Sequence, residues 1–178
     1  KSKIEIAREV IGDLMADWDQ GVHLGLSAYG HRSKGDCNDI ETLVKAGPDT
    51  NATIVGIVNQ LNPKGKTPLS ASVKMAAEEL GYSEEPATVI LVSDGIENCG
   101  IDPCALGRSL EATGIDFTAH VIGFDVRPED RAGLICLAEN TGGKFLSAGT
   151  ASELTNALQQ VAEEVRTGAD SVYVIIDN

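Results

Sequence analysis

Two apolar segments of this chain each end in an aspartate, and these two aspartates are the first candidates for chemistry. One segment is 87–93, followed by Asp94, and the other is 172–176, followed by Asp177. Uncharged, partly β-branched runs of this length are typical of strands buried on both faces of a parallel sheet. Ligands of open α/β sheets bind at the carboxyl edge of the strands, so a carboxylate held there is a candidate binding group. The alternative is that Asp94 only starts a turn or caps the next helix.

The elements that must position these aspartates alternate along the chain. Apolar spacing predicts helices over residues 3–18, 53–61, 69–80, 103–112, 128–140 and 152–165, and strands over 22–28, 40–46, 87–93, 116–124, 144–147 and 172–177. The loop between the first two strands is too short for a crossover helix, so these strands should be antiparallel. The later repeats indicate right-handed βαβ units. We therefore expect one doubly wound, Rossmann-like α/β domain over residues 1–178, with a mostly parallel six-stranded sheet, helices on both faces and one antiparallel edge strand.

Composition limits the classes of partner. The chain has 178 residues, of which 42% are hydrophobic, enough for one full core, and a formal net charge of -13. This charge would repel nucleic acid and anionic membrane surfaces. No apolar stretch approaches the roughly 20 residues of a transmembrane helix, and the first residues carry no signal-peptide pattern. We therefore expect neither a nucleic-acid partner nor membrane insertion.

Four cysteines allow two readings. The spacing of Cys99 and Cys104 misses the two-residue gap of zinc knuckles and dithiol motifs. Two disulfides, with three possible connectivities, would indicate an extracytoplasmic protein (periplasmic, secreted or on the cell surface), whereas four reduced thiols would suit the cytosol. Because Cys37 and Cys99 both follow the carboxyl ends of strands, we expect them to pair with each other, which leaves Cys104 for Cys136.

Two short motifs carry a resemblance to a known family. The sequence GKTPLS at 65–70 precedes a predicted helix, and VSDGIE at 92–97 ends a predicted strand. Together with the order of the elements, over essentially the whole chain, these motifs resemble the von Willebrand factor type A (vWA) domain, especially its bacterial members. That family carries a metal-ion-dependent adhesion site on top of a doubly wound sheet. Its ligands come from an Asp-x-Ser-x-Ser segment, a threonine and an aspartate, and the resemblance assigns the last two to Thr67 and Asp94.

The leading aspartate is where this sequence departs from the family pattern. The family's first strand is central in the sheet and should precede the helix at 3–18, but no strand precedes that helix here. The segment 172–177 can fill the vacant place, which would make Asp177 the leading aspartate and Asn178 its variable residue, with the two serines missing. The chain would then be a circular permutant. The alternative is that 171–178 pairs at the sheet edge or begins a second domain.

The resemblance implies a cofactor and a partner. Asp177, Thr67 and Asp94 would hold Mg²⁺, or Mn²⁺ or Ca²⁺, because carboxylate and hydroxyl oxygens suit hard divalent cations. Without the serines this ligand set is thin, so binding should be weak or absent. An open position on the metal would accept an acidic side chain from a protein partner, with His31, Glu97 and Asn178 on the surrounding rim. The implied function is a non-enzymatic adhesion or protein-binding module.

Other functions find less support in the residues. The GKT at 65–67 is similar to the end of a phosphate-binding loop, but Gln60 stands where the first glycine should be, and the segment follows a helix. A hydrolase lacks both a Gly-x-Ser-x-Gly elbow and any readable pairing of a nucleophile with a histidine. A structural domain with a degenerate metal site is the remaining alternative.

Overall fold

The computed structural model describes residues 2–18, 21–61, 66–166 and 171–177, and strands alternate with helices through most of this length. The strands are β1 (His23–Tyr29), β2 (Ile40–Gly47), β3 (Ala87–Ser93), β4 (Phe117–Phe124), β5 (Phe145–Ala148) and β6 (Ser171–Asp177). The helices are α1 (Lys3–Asp17), α2 (Asn51–Val58), α3 (Leu69–Glu79), α4 (Pro103–Thr113), α5 (Ala132–Asn140) and α6 (Ala151–Arg166).

The strands form one six-stranded sheet in the order β2-β1-β6-β3-β4-β5. Only the edge pair β1–β2 is antiparallel, and every other neighbouring pair is parallel. This confirms the predicted doubly wound, mostly parallel α/β fold with one antiparallel edge strand.

The last strand in the sequence lies at the centre of the sheet. Val172 of β6 is aligned with Leu24 of β1 on one side and with Thr88 of β3 on the other. Residues Val172–Ile176 are all buried, which explains their uniformly apolar character. The expected central position of this segment is therefore confirmed, and the alternative that it pairs at the edge is wrong.

The two faces of the sheet are covered by separate apolar clusters. Side chains of β6 alternate between them: Val172, Val174 and Ile176 belong to the cluster that includes α1, α2 and α6, and Tyr173 and Ile175 to the cluster that includes α3, α4 and α5. Helices therefore cover both faces, as predicted. Among the described residues, no helix is both long enough and apolar enough to span a membrane.

One predicted helix begins later than its apolar spacing indicates. The segment 128–140 was expected to be continuous, but Pro128–Asp130 forms a separate 3₁₀ turn and α5 starts at Ala132. The turn is closed by the bond from the Asp130 amide to the Arg127 carbonyl. Arg131 then donates from Nε to the carbonyl of Val126, which holds the chain at the break between turn and helix.

Both expected disulfides are present. Cys37–Cys99 joins the β1–β2 loop to the loop after β3, with a Cα–Cα distance of 5.6 Å, and Cys104–Cys136 joins α4 to α5 at 5.0 Å. Disulfides form and persist in oxidising compartments and are rare in the reducing cytosol. The paired cysteines therefore indicate a non-cytoplasmic protein.

The central position of β6 predicts a large stability loss when its core side chains are shortened. Ile175 is fully buried, so Ile175→Ala should lower the free energy of unfolding by about 2–4 kcal/mol in chemical denaturation. Ile115 is 63% exposed, and Ile115→Ala should change it by less than about 0.5 kcal/mol. Equal, small effects of the two substitutions would contradict the central placement of β6.

Candidate metal centre

The two aspartates meet at the carboxyl edge of the sheet. Asp177 is the last residue of β6, and Asp94 directly follows the neighbouring strand β3. Oδ2 of Asp177 accepts a hydrogen bond from the Asp94 amide at 3.3 Å and another from Oγ of Ser93 at 3.0 Å. The carboxylate of Asp177 is thus held across the end of β3, beside Asp94.

Thr67 reaches the same place from the loop before α3. An ideal Cβ built on Gly95 would lie 3.6 Å from Oδ2 of Asp177 and 3.6 Å from Oγ1 of Thr67. The carboxylate and the hydroxyl therefore border the same space next to the Gly95 backbone, and the missing side chain keeps that space open. The structure brings together the three side chains that the sequence nominated as ligands.

The backbone of Thr67 is held by a residue that sequence reasoning missed. The Thr67 amide donates to Oδ1 of Asn98 at 2.8 Å, and the Asn98 amide donates to the Thr67 carbonyl at 3.4 Å. Pro68 follows Thr67, and a residue before proline is restricted to extended conformations. No local pattern in the sequence links positions 67 and 98, because the contact exists only once α3 and the loop after β3 are packed together.

The pKa of Asp177 is raised to about 7. Burial is the larger cause, and the neighbouring carboxyl of Asp94 is the second. The bonds from the Ser93 hydroxyl and the Asp94 amide act in the opposite direction, because they stabilise the carboxylate. Near neutral pH the site therefore favours a proton, or another positive charge, on this pair of carboxyl groups.

The hydroxyl groups of Tyr29 and Ser93 form a chain of hydrogen bonds that ends at Asp177. Tyr29, which is aligned with Asp177 in the β1–β6 register, is fully buried and donates its hydroxyl to Oγ of Ser93 at 3.4 Å. Ser93 in turn donates to Asp177. Burial, followed by the nearby charge of Asp177, raises the pKa of the Tyr29 phenol, so this hydroxyl stays protonated and available as a donor.

A lysine lies over the outer side of the site. Nζ of Lys3, in the first turn of α1, is 3.6 Å from Oδ2 of Asp94 and 3.6 Å from Oδ2 of Asp125. Asp125 was missed by the sequence analysis, although it follows the buried strand β4 just as Asp94 follows β3. The ammonium group balances part of the negative charge that the strand ends bring together.

The expected rim residues have different surroundings. Glu97 accepts from the Ser70 amide through Oε1 at 2.9 Å and from the Cys99 amide through Oε2 at 2.7 Å, so its carboxylate caps the first turn of α3. The His31 side chain is only 7% exposed, and its Nε2 lies 2.9 Å from Glu41, which leaves little of the imidazole for a partner. Asn178, like Gly65 of the GKTPLS segment, lies outside the described residues.

The donor set suits a hard cation but is small. Two carboxylates and one hydroxyl supply only oxygen atoms, which Mg²⁺, Mn²⁺ and Ca²⁺ prefer over softer ligands. In the part of the chain that the structure describes, no three histidine, cysteine or carboxylate side chains are grouped so that they could hold a metal ion. An ion here would therefore need oxygen ligands besides the two carboxylates, and the Thr67 hydroxyl borders the same space.

The fold defined by this sheet is that of a von Willebrand factor type A domain. A von Willebrand factor type A structure from Catenulispora acidiphila superposes with a TM-score of 0.69 at 17% identity, over 90% of this chain and 37% of that one. An aerotolerance-related membrane protein from Bacteroides fragilis, in a form with multiple mutations to serines, gives 0.67 at 16%, over 92% and 89%. Proximal thread matrix protein 1 from the mussel byssus, with a zinc-occupied MIDAS motif, gives 0.67 at 16%, over 90% and 40%.

The chain is also similar in sequence to two proteins of one bacterium. The chain is 25% identical over 171 residues to the uncharacterized protein YwmD of Bacillus subtilis (strain 168), covering 91% of this chain and 76% of that protein. It is 24% identical over 169 residues to YwmC of the same organism, covering 89% and 73%. No family model matches the sequence.

The raised pKa of Asp177 predicts a specific pH dependence of stability. In the metal-free protein the folded state holds this proton more tightly than the unfolded chain, whose pKa is near 3.8. The protonated Asp177 therefore contributes its full stabilisation of the folded state below about pH 3.8, and this contribution is lost as the pH rises to about 7. Asp177→Asn, which cannot ionise, should therefore match wild type near pH 4 and exceed its free energy of unfolding by about 4 kcal/mol at pH 8.

Denaturant unfolding at several pH values in the presence of a chelator measures this difference. Asp13→Asn is the matched control, because Asp13 is exposed on α1, and its difference from wild type should stay flat. A flat profile for Asp177→Asn as well would show that Asp177 is not a buried, destabilised carboxylate.

Proposed function

We propose that this protein is a non-enzymatic protein-binding module that holds a divalent cation at the carboxyl edge of its sheet. Asp177, Asp94 and Thr67 are the proposed ligands, and the cation presents an open position to an acidic side chain of a protein partner. The observation that carries the proposal is the convergence of Asp177 and Thr67 on the open space beside Gly95, with Asp94 directly adjacent.

Electrostatics supports a cation in that space. The two carboxyl groups end adjacent parallel strands, and their mutual repulsion contributes to the raised pKa of Asp177. A divalent ion would offset this repulsion more fully than one proton. The mussel protein of the same fold carries zinc in its MIDAS motif, which supports a metal at this edge. Mg²⁺ is the preferred ion for an all-oxygen set, with Mn²⁺ or Ca²⁺ as substitutes.

The cation would also determine the partner. The chain carries a net charge of -13, so an acidic partner would be repelled everywhere except at the metal. A partner that presents one carboxylate within a neutral or basic surface fits this distribution best. The two disulfides support an encounter outside the cytosol, in the periplasm, at the cell surface or in the surrounding medium.

Metal binding should be weak and should depend on the named ligands. We expect calorimetry to give a Mg²⁺ or Mn²⁺ affinity well short of submicromolar, because three side-chain oxygens offset the dehydration of the ion poorly. Asp94→Ala should abolish binding, and Thr67→Ala should weaken it by roughly tenfold or more. A variant with Ser-x-Ser added after Asn178 should bind more tightly.

The control for general electrostatics is Asp125→Asn. Asp125 follows the next strand and shares Lys3 with Asp94, so its removal changes the charge at almost the same place without removing a proposed ligand. It should leave the affinity within about threefold of wild type. Equal losses in Asp94→Ala and Asp125→Asn would indicate diffuse attraction in place of coordination.

Capture of a partner tests the function itself. The immobilised protein should retain an extracellular or periplasmic protein in Mg²⁺ and release it in a chelator, because the partner's carboxylate binds through the metal. Asp94→Ala should capture nothing under either condition, whereas Asp125→Asn should behave as wild type. Capture that ignores both the chelator and Asp94→Ala would favour a structural role for the domain with a degenerate metal site.

A further inference from the structure

The loop after β3 is hydrogen-bonded at several points to the start of α3 and to the residues just before it. We call residues 95–102, between Asp94 and the first residue of α4, the bracing loop. Besides the two bonds between Asn98 and Thr67, its Glu97 accepts from the Ser70 amide at 2.9 Å, and its Ile101 carbonyl accepts from Oγ of Ser70 at 3.4 Å. The segment that carries Thr67 is thus tied to this loop through four hydrogen bonds.

The bracing loop is itself tied to a third segment. Cys99, next to Asn98, is bonded to Cys37 in the β1–β2 loop. That loop has a firm anchor in Asp39, which is 1% exposed and accepts from the amides of Arg32 and Ser33 at 2.7 and 2.8 Å. Because Asn98 adjoins the bridged cysteine, the disulfide restricts where its side chain can lie.

We infer that Asn98 is a positioning residue for Thr67 and that the Cys37–Cys99 disulfide braces it. The inference rests on the proposed metal site and deepens it. Asn98 touches no reacting atom: its Oδ1 fixes the Thr67 amide, and its own amide holds the Thr67 carbonyl. With the backbone held on both sides and restricted by Pro68, the Thr67 hydroxyl is kept facing Asp177 across Gly95.

The second disulfide is a matched control. Cys104 lies in the first turn of α4, and its bridge to Cys136 joins α4 to α5. Among the described residues, neither cysteine is hydrogen-bonded to Thr67. The Cys104 amide donates to Oδ1 of Asp102, at the end of the bracing loop, at 3.0 Å, and the side chain of Asn140 donates to the Cys104 carbonyl at 3.1 Å and to the Cys136 sulfur at 3.3 Å. Loss of this bridge should reduce stability without moving Thr67.

The first measurement is hydrogen exchange of the Thr67 amide by NMR, on the metal-free full chain. Asn98→Ala removes the acceptor and should speed this exchange by about fivefold or more relative to wild type. Asn98→Asp keeps an Oδ1 acceptor and should restore slow exchange. Cys37→Ser with Cys99→Ser should speed the exchange as well, whereas Cys104→Ser with Cys136→Ser should not.

The second measurement is Mn²⁺ affinity by calorimetry on the same proteins. Asn98→Ala and the Cys37–Cys99 double variant should each bind about tenfold more weakly than wild type. The Cys104–Cys136 double variant should bind as wild type, even if it melts at a lower temperature.

The outcomes separate this inference from the proposed function. Unchanged Thr67 exchange in Asn98→Ala, or equal acceleration in both disulfide variants, would overturn the positioning role whether or not the metal binds. Exchange that changes as expected in a protein that binds no Mn²⁺ would uphold the brace and refute the metal site. Mn²⁺ binding that is indifferent to Asn98 and to Cys37–Cys99 would uphold the metal site and overturn the brace.

Discussion

The parallel pairing of β6 between β1 and β3 is the constraint on which the rest of the structure depends. It closes the sheet at its centre, where unpaired backbone groups of two inner strands would otherwise be buried without partners. It also joins the two apolar clusters, since alternate side chains of β6 enter both. Because the strand ends at Asp177, the same pairing that completes the core delivers a carboxylate to the carboxyl edge.

Placing Asp177 at this edge has an electrostatic cost, which neighbouring polar and charged groups partly offset. A second carboxylate, Asp94, already stands at the end of β3, and burial disfavours charge on Asp177. The compensating groups come from three directions: the Ser93 hydroxyl, the Asp94 amide and the ammonium group of Lys3, which reaches Asp94. An added cation would offset the remaining negative charge, which is the basis of the proposed metal site.

The loops over this edge are held by a few specific links more than by apolar packing. Thr67 lies between residues outside the described structure and the start of α3, and its orientation depends on Asn98 and Pro68. Glu97 supplies α3 with the cap that its own N-cap position, Pro68, does not provide. The Cys37–Cys99 disulfide then joins the loop after β3 to the β1–β2 loop, whereas Cys104–Cys136 joins α4 to α5. The loops at the edge are therefore held by hydrogen bonds and a disulfide, whereas the sheet below them is held by apolar packing.

The sequence by itself determined the architecture and the two aspartates. Long apolar runs and helical spacing predicted the mostly parallel sheet and a strand at 172–177 that is buried on both faces. The resemblance to the vWA family supplied the central place of that strand and, with it, the approach of Asp177 to Asp94. The pairing of Cys37 with Cys99 was expected from where the strands end, and Cys104–Cys136 was the pair that remained, but only the structure decided between disulfides and reduced thiols. Only the tertiary structure decided the rest. Asn98 meeting Thr67, Glu97 capping α3 and Lys3 reaching Asp125 join residues far apart in the chain through single polar contacts. Such contacts leave no periodic signal in a sequence, since they depend on how loops pack after the core has formed.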